Sequence, residues 1–272
     1  MGPGLEPLAR TEHGARPLCE TAPVIAWEAS GAGDPLVLVH GITEDRHAWD
    51  PLIPLLEDRF RCVRLDLRGH GESSPADDYA ALSMAQDVAA VVAEAGLDQP
   101  PLLVGHSLGA IVATAYATQG PARGVINIDQ SLRLGDFATA LQPLAPMLRG
   151  PQFADAVAAV FQSLGIDRLP PAARAYADAR HGAARPEVVL GVWDLVLATP
   201  AEELTAVAES LLGAVLVPYL AIHGSDPGPG YAGWLARSCP QAAVEVWAGD
   251  GHYPHLVEPG RFGDRVRAFA AA

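Results

Sequence analysis

The chain has 272 residues, half of them apolar and 18% charged, enough to bury a sizeable core as one large α/β domain and too apolar for a disordered one. The 32 acidic residues outnumber 18 basic ones for a net charge of −14, so neither nucleic acid nor an anionic membrane surface is an expected partner. Every basic residue is arginine, which removes Schiff-base, phosphate-loop and lysine-assisted lyase chemistry.

The N-terminal stretch "MGPGLEPLARTEHGARPLCET" lacks a basic region followed by an apolar one, and Glu6 stands where a myristoylation signal wants Ser or Thr. With no run of 18 apolar residues either, a cytoplasmic location is expected. Cys19, Cys62 and Cys239 are odd in number and scattered, so neither a metal spacing nor a disulfide framework is expected.

The first strand signal is "VIAWEAS", closed by the turn "SGAGDP". "PLVLVH" (35–40), "CVRLDL" (62–67), "PLLVG" (101–105) and "GVINID" (124–129) follow. Short runs that are apolar without alternation suit strands buried on both faces. Between them, helical spacing runs through "AWDPLIPLLEDRF", 83–96 and 107–120. This alternation implies right-handed crossovers and a doubly wound, mostly parallel sheet. Near residue 132 the rhythm changes, and helices are expected over 136–148, 152–164, 171–181, 187–198 and 201–212. Strand character resumes in "AVLVPYLAIHG" (214–224), then a helix near 229–237, the strand "AAVEVWA" (242–248) and a last helix from about 259. The expected organisation is a sheet domain of residues 1–131 and 214–272 interrupted by an all-helical cap over 132–213.

The segment "LVGHSLG" is G-x-S-x-G between a strand and a helix. Its glycines permit a sharp turn that exposes the Ser107 hydroxyl, and the helix that follows aims free N–H groups at it. The Leu108 N–H is then one oxyanion donor, and the loop "HGITED" supplies a second from Ile42, with Thr43 as the fallback. Serine needs a base. Of nine histidines, His252 in "WAGDGHYPHLVEP" lies between the last strand and the last helix, on the same sheet edge as Ser107. His40, His70 and His106 read as scaffolding or packing, and His255 as supporting the loop or facing solvent. The acid that orients His252 follows a strand in either of two places. Asp226 in "HGSD", which matches the order Ser, Asp, His, is favoured, and Asp129 in "INIDQS" is the reserve.

The landmarks "VHGIT", "DLRGHGESS", "GHSLG", "HGSD" and "GHYPHLVEP" occur in the order they take in the α/β-hydrolase superfamily, which this chain resembles over residues 20–131 and 214–272. The resemblance implies a serine hydrolase whose Ser107, His252 and Asp226 (or Asp129) cleave a carboxylic ester, lactone or thioester without metal or organic cofactor. One departure touches the acid: many relatives carry G-x-x-D where this chain has Gly224-Ser225-Asp226, one residue shorter. The small-molecule substrate is expected to be largely apolar, enclosed by the cap, with Gln130 and Trp193 as candidate contacts. Two other readings stay open: a cofactor-free carbon–carbon bond hydrolase or lyase on the same residues, and a ligand-binding receptor with vestigial activity.

Overall fold

The computed structural model describes residues 12–14 and 23–272; Glu6 and Cys19 lie outside the described residues. Its centre is one sheet of eight strands: β1 (Glu12–Gly14), β2 (Trp27–Ser30), β3 (Asp34–Val39), β4 (Phe60–Leu65), β5 (Leu102–His106), β6 (Gly124–Ile128), β7 (Tyr219–His223) and β8 (Ala242–Val246). They lie in the order β1-β2-β4-β3-β5-β6-β7-β8. β2 pairs antiparallel with both of its neighbours, and β3 to β8 run parallel.

The central strands divide their side chains between two cores, as period-2 geometry requires. Leu36 and Leu38 of β3, Leu102 and Val104 of β5, Ile126 and Ile128 of β6, and Leu220 and Ile222 of β7 enter one core with Trp49, Phe60 and Phe262. Val37, Val39, Leu103, Val125, Tyr219 and Ala221 enter the other. Neither face meets water, which explains the runs without alternation. Cys62 and Cys239 are free and fully buried; burial pushes the Cys239 thiol up to about 11, so it stays protonated and inert.

Helices α1 (Ala81–Glu94) and α2 (Leu108–Gln119) follow β4 and β5. α1 buries Met84, Val88 and Val91, an amphipathic stripe, whereas α2 is buried along most of its length. Between β6 and β7 stand α3 (Leu134–Leu141), α4 (Ala145–Leu148), α5 (Phe153–Ser163), α6 (Pro171–Gly182), α7 (Pro186–Ala198) and α8 (Ala201–Gly213). α9 (Tyr231–Ser238), α10 (Pro254–Val257) and α11 (Pro259–Ala270) complete the chain. No helix among the described residues is long and apolar enough to cross a membrane.

Proline accounts for two departures from the sequence reading. "AWDPLIPLLEDRF" holds only short 3-10 turns over 46–49 and 53–55, because Pro51 and Pro54 cannot donate the N–H bonds an α-helix needs. The expected helix 136–148 is interrupted by a 3-10 turn over 142–144 that contains Pro143. The strand expected from 214 begins only at Tyr219, since α8 continues to Gly213.

Candidate active site

Five loops meet at the C-terminal edge of the parallel strands, and β5 delivers Ser107 there. The serine has φ +50° and ψ −121°, a conformation side chains rarely adopt and which only a firm surround can hold. The glycines of the motif provide that surround through close approach. A Cβ on Gly105 would stand 2.2 Å from the Gly109 carbonyl oxygen, and one on Gly109 2.1 Å from that of Val39. Only glycine lets β5, α2 and the end of β3 come this near. The Ser107 N–H donates to the Ile128 carbonyl at 3.0 Å, which ties the elbow to β6.

His252 is buried, and its N–H bonds the Leu164 carbonyl at the end of α5 at 2.9 Å. Its Nδ1 donates to Asp129 Oδ2 at 2.7 Å. With the proton on Nδ1, Nε2 keeps a lone pair, and this buried nitrogen has no hydrogen-bond partner among the described residues. Asp129 is itself pinned: its N–H donates to the Ile222 carbonyl at 2.7 Å, and its Oδ1 accepts the Gly224 N–H at 2.8 Å. Burial pushes its carboxyl up, but the hydrogen bond and charge of His252 and the Gly224 N–H outweigh that and hold it below the usual carboxylate range.

Asp226, the acid favoured in the sequence, makes neither a hydrogen bond nor an ion pair with His252. It lies exposed in the loop after β7, where Oδ1 accepts the Gly228 N–H at 2.9 Å. The cause is the short loop. Gly224 crosses the backbone of the histidine loop so closely that a Cβ there would stand 1.9 Å from the Gly251 carbonyl oxygen. The chain then runs outward, and Asp226 reaches the surface two residues later. The partner of His252 is therefore the reserve acid, Asp129.

His40, His70 and His255 are buried and serve the scaffold. His40 Nδ1 donates to the Gly41 carbonyl at 2.7 Å and Nε2 accepts the Leu67 N–H at 3.0 Å, which spends both nitrogens on the loop base. His70 donates Nδ1–H to the Arg68 carbonyl, and burial pushes its pKa down to about 3. His255 is 1% exposed, packed on Trp49, His106 and Phe262. Sequence reading passed over Glu44, which is 3% exposed beside His106. Its only advance signal is three consecutive charges, Glu44-Asp45-Arg46, directly after a loop that leaves a buried strand.

A cavity of about 240 Å³ opens over these groups and is bounded by Ser107, Ile42, Leu108, Asp129 and His252 on the sheet side. α3, α5 and α7 supply an apolar wall that includes Phe137, Phe161, Val192 and Trp193, while Asp226 and Arg133 also border the cavity. Leu141, Val157 and Val189, also apolar residues at helical spacing, pack into the core instead. Gln130 borders the cavity, yet its side chain donates to the Ser131 carbonyl and its N–H to Asn127 Oδ1, so its polar groups serve the loop.

The sequence pattern of the alpha/beta hydrolase family matches residues 36–265. An uncharacterized protein of Mycobacterium tuberculosis is 28% identical over 283 residues, covering 96% of this chain and 80% of that one. A pimeloyl-[acyl-carrier protein] methyl ester esterase of Methylococcus capsulatus is 42% identical over 94 residues, 35% of each chain. Among solved structures, a thermophilic esterase from Thermogutta terrifontis superposes with a TM-score of 0.75 at 25% identity, covering 95% of this chain and 97% of that one. A strained serine on a strand-to-helix elbow, a carboxylate-bound histidine on the same sheet edge and a family pattern spanning most of the chain agree: this protein is a hydrolase of the alpha/beta hydrolase family.

Proposed function

We propose that this hydrolase cleaves carboxylic esters, lactones or thioesters of small, largely apolar molecules through an acyl-enzyme on Ser107. The observation that carries the reading is the relay at the sheet edge: Asp129 holds the Nδ1–H of His252 at 2.7 Å, and the unpartnered Nε2 is buried beside the cavity that Ser107 also lines. In this reading Nε2 takes the Ser107 proton as Oγ attacks the substrate carbonyl. Asp129 stays ionised and stabilises the imidazolium that forms. The N–H groups of Leu108 and Ile42 receive the oxyanion. Collapse of the tetrahedral intermediate returns the proton to the leaving alcohol or thiol. A water deprotonated by His252 then releases the acid.

Residues 132–213 act as the cap in this reading, and their apolar wall selects the acyl group. At about 240 Å³ the cavity is below the range of about 300–1,000 Å³ usual for drug-sized ligands. The reading therefore favours compact acyl groups over long chains. The test is a panel of p-nitrophenyl acetate, butyrate and octanoate, with lactones and acyl thioesters, against wild type and Ser107→Ala. Turnover that favours the short esters, vanishes in Ser107→Ala and leaves an acyl adduct on Ser107 by mass spectrometry supports the proposal. Activity on vinylogous diketones with negligible ester turnover transfers the site to carbon–carbon cleavage. Tight ligand binding unchanged in Ser107→Ala, without an adduct, makes it a receptor.

A further inference from the structure

Between the oxyanion loop and the elbow lies a pair of ionisable side chains that the acyl-transfer steps do not use. His106, the residue before the nucleophile, and Glu44, two residues after Ile42, are 1% and 3% exposed. Glu44 Oε2 accepts the Gly41 N–H at 2.8 Å and meets His106 Nδ1 at 3.2 Å. The other ring nitrogen, Nε2, donates to the backbone carbonyl of His252 at 2.9 Å. The His106 ring also packs against those of His252, Tyr253 and His255, with centroids 4.7–4.9 Å apart.

A carbonyl oxygen only accepts, so Nε2 carries a proton, and the Glu44 carboxylate draws a second onto Nδ1. Burial opposes both charges. Even so, the ion pair holds Glu44 well below the carboxylate range and raises His106. The approach leaves no room for a side chain at Gly41, where a Cβ would stand 2.9 Å from His106 Nδ1 and 3.1 Å from Glu44 Oε2. One carboxylate thus grips the backbone immediately before the Ile42 N–H, and one imidazolium grips the backbone of the base itself.

We propose that Glu44 and His106 are positioning residues for the Ser107 reaction: their buried pair locks the oxyanion loop and the His252 loop into one frame around the serine. This rests on reading Ser107 as the nucleophile. Neither residue lines the cavity around Ser107, so the pair acts through backbone it holds. Misplacing reacting groups by about 1 Å costs about 100-fold in rate. The loss belongs in kcat rather than KM, because the oxyanion contacts strengthen only in the transition state.

The test compares wild type, Glu44→Gln, His106→Gln and the double variant on p-nitrophenyl butyrate, with fluorophosphonate labelling of Ser107 alongside. The expected result is a kcat about 30- to 100-fold lower in each single variant, KM within twofold, and a double variant no worse than the poorer single one, since the two residues act as a unit. Single variants that keep kcat within twofold of wild type overturn the proposal, as does a loss confined to KM. Should the variants not fold, 15N-histidine-labelled wild type at pH 8 decides. One of the nine rings protonated on both nitrogens supports the pair, and nine neutral rings overturn it. If wild type neither turns over esters nor labels at Ser107, the reading of the site fails and the proposal falls with it; that failure shows in the wild-type arm rather than in the variants.

Discussion

Two aspartates follow neighbouring parallel strands of this sheet, and their fates are opposite. Asp129, after β6, has a left-handed backbone (φ +50°) and is gripped by the Ile222 carbonyl, the Gly224 N–H and His252. Asp226, after β7, caps its own turn in the open. A carboxylate directs a histidine only when its own position is over-determined, and the loop after β6 meets that condition while the loop after β7 does not. The β7 loop still contributes to the site, because its Gly224 N–H fixes the acid on the adjacent strand.

The contrast can be broken most severely at the acid. Asp129→Asn should lower kcat on short p-nitrophenyl esters by about 10³- to 10⁴-fold with the fold retained, because an amide favours the wrong histidine tautomer. Circular dichroism beside the kinetics separates this from unfolding, and a loss under tenfold would remove Asp129 from the relay.

Gly224→Ala comes next. The added Cβ meets backbone at 1.9 Å, so one of the two loops must shift at a cost of about 1–3 kcal/mol. Thermal melts should show a lowered Tm, and kcat should fall as Asp129 loses its anchor. An unchanged Tm would contradict the close crossing.

A smaller effect lies in acid stability. The folded-state pKa of Asp129 is depressed, so its contribution is present above the ordinary aspartate value of about 3.9 and is lost as pH falls through the folded value. Wild-type Tm should therefore decline as pH drops below about 4, more steeply than that of Asp129→Asn; parallel curves would refute the linkage. Least affected should be Asp226→Asn, with kcat within about threefold of wild type, since its carboxylate bonds its own turn at the Gly228 N–H rather than His252. A loss there as large as at Asp129 would reverse the comparison.

Much of this was legible without coordinates, for identifiable reasons. The strands of the parallel sheet announced themselves because burial on both faces demands unbroken apolar runs, as in Leu36–Val39. Ser107 was legible because a sharp elbow with two backbone close approaches demands glycine on both sides. His252 was legible from its place between the last strand and the last helix. Local pattern failed at 48–60, where the apolar spacing resembled a helix and the prolines prevented one. Glu44 was passed over because three consecutive charges in sequence do not tell a buried, paired acid from a solvated one without the partner that neutralises it.

The sequence by itself determined the layered sheet, the serine on its elbow, the position of His252 after the last strand and the helical interruption, since each depends on hydrophobic period, glycine spacing or chain order. Tertiary structure alone decided which aspartate reaches His252, which helices wall the cavity and what His106 holds. Those outcomes depend on where loops far apart in the chain cross, to within about 1 Å, and a crossing such as Gly224 over Gly251 is set by the packing of whole strands.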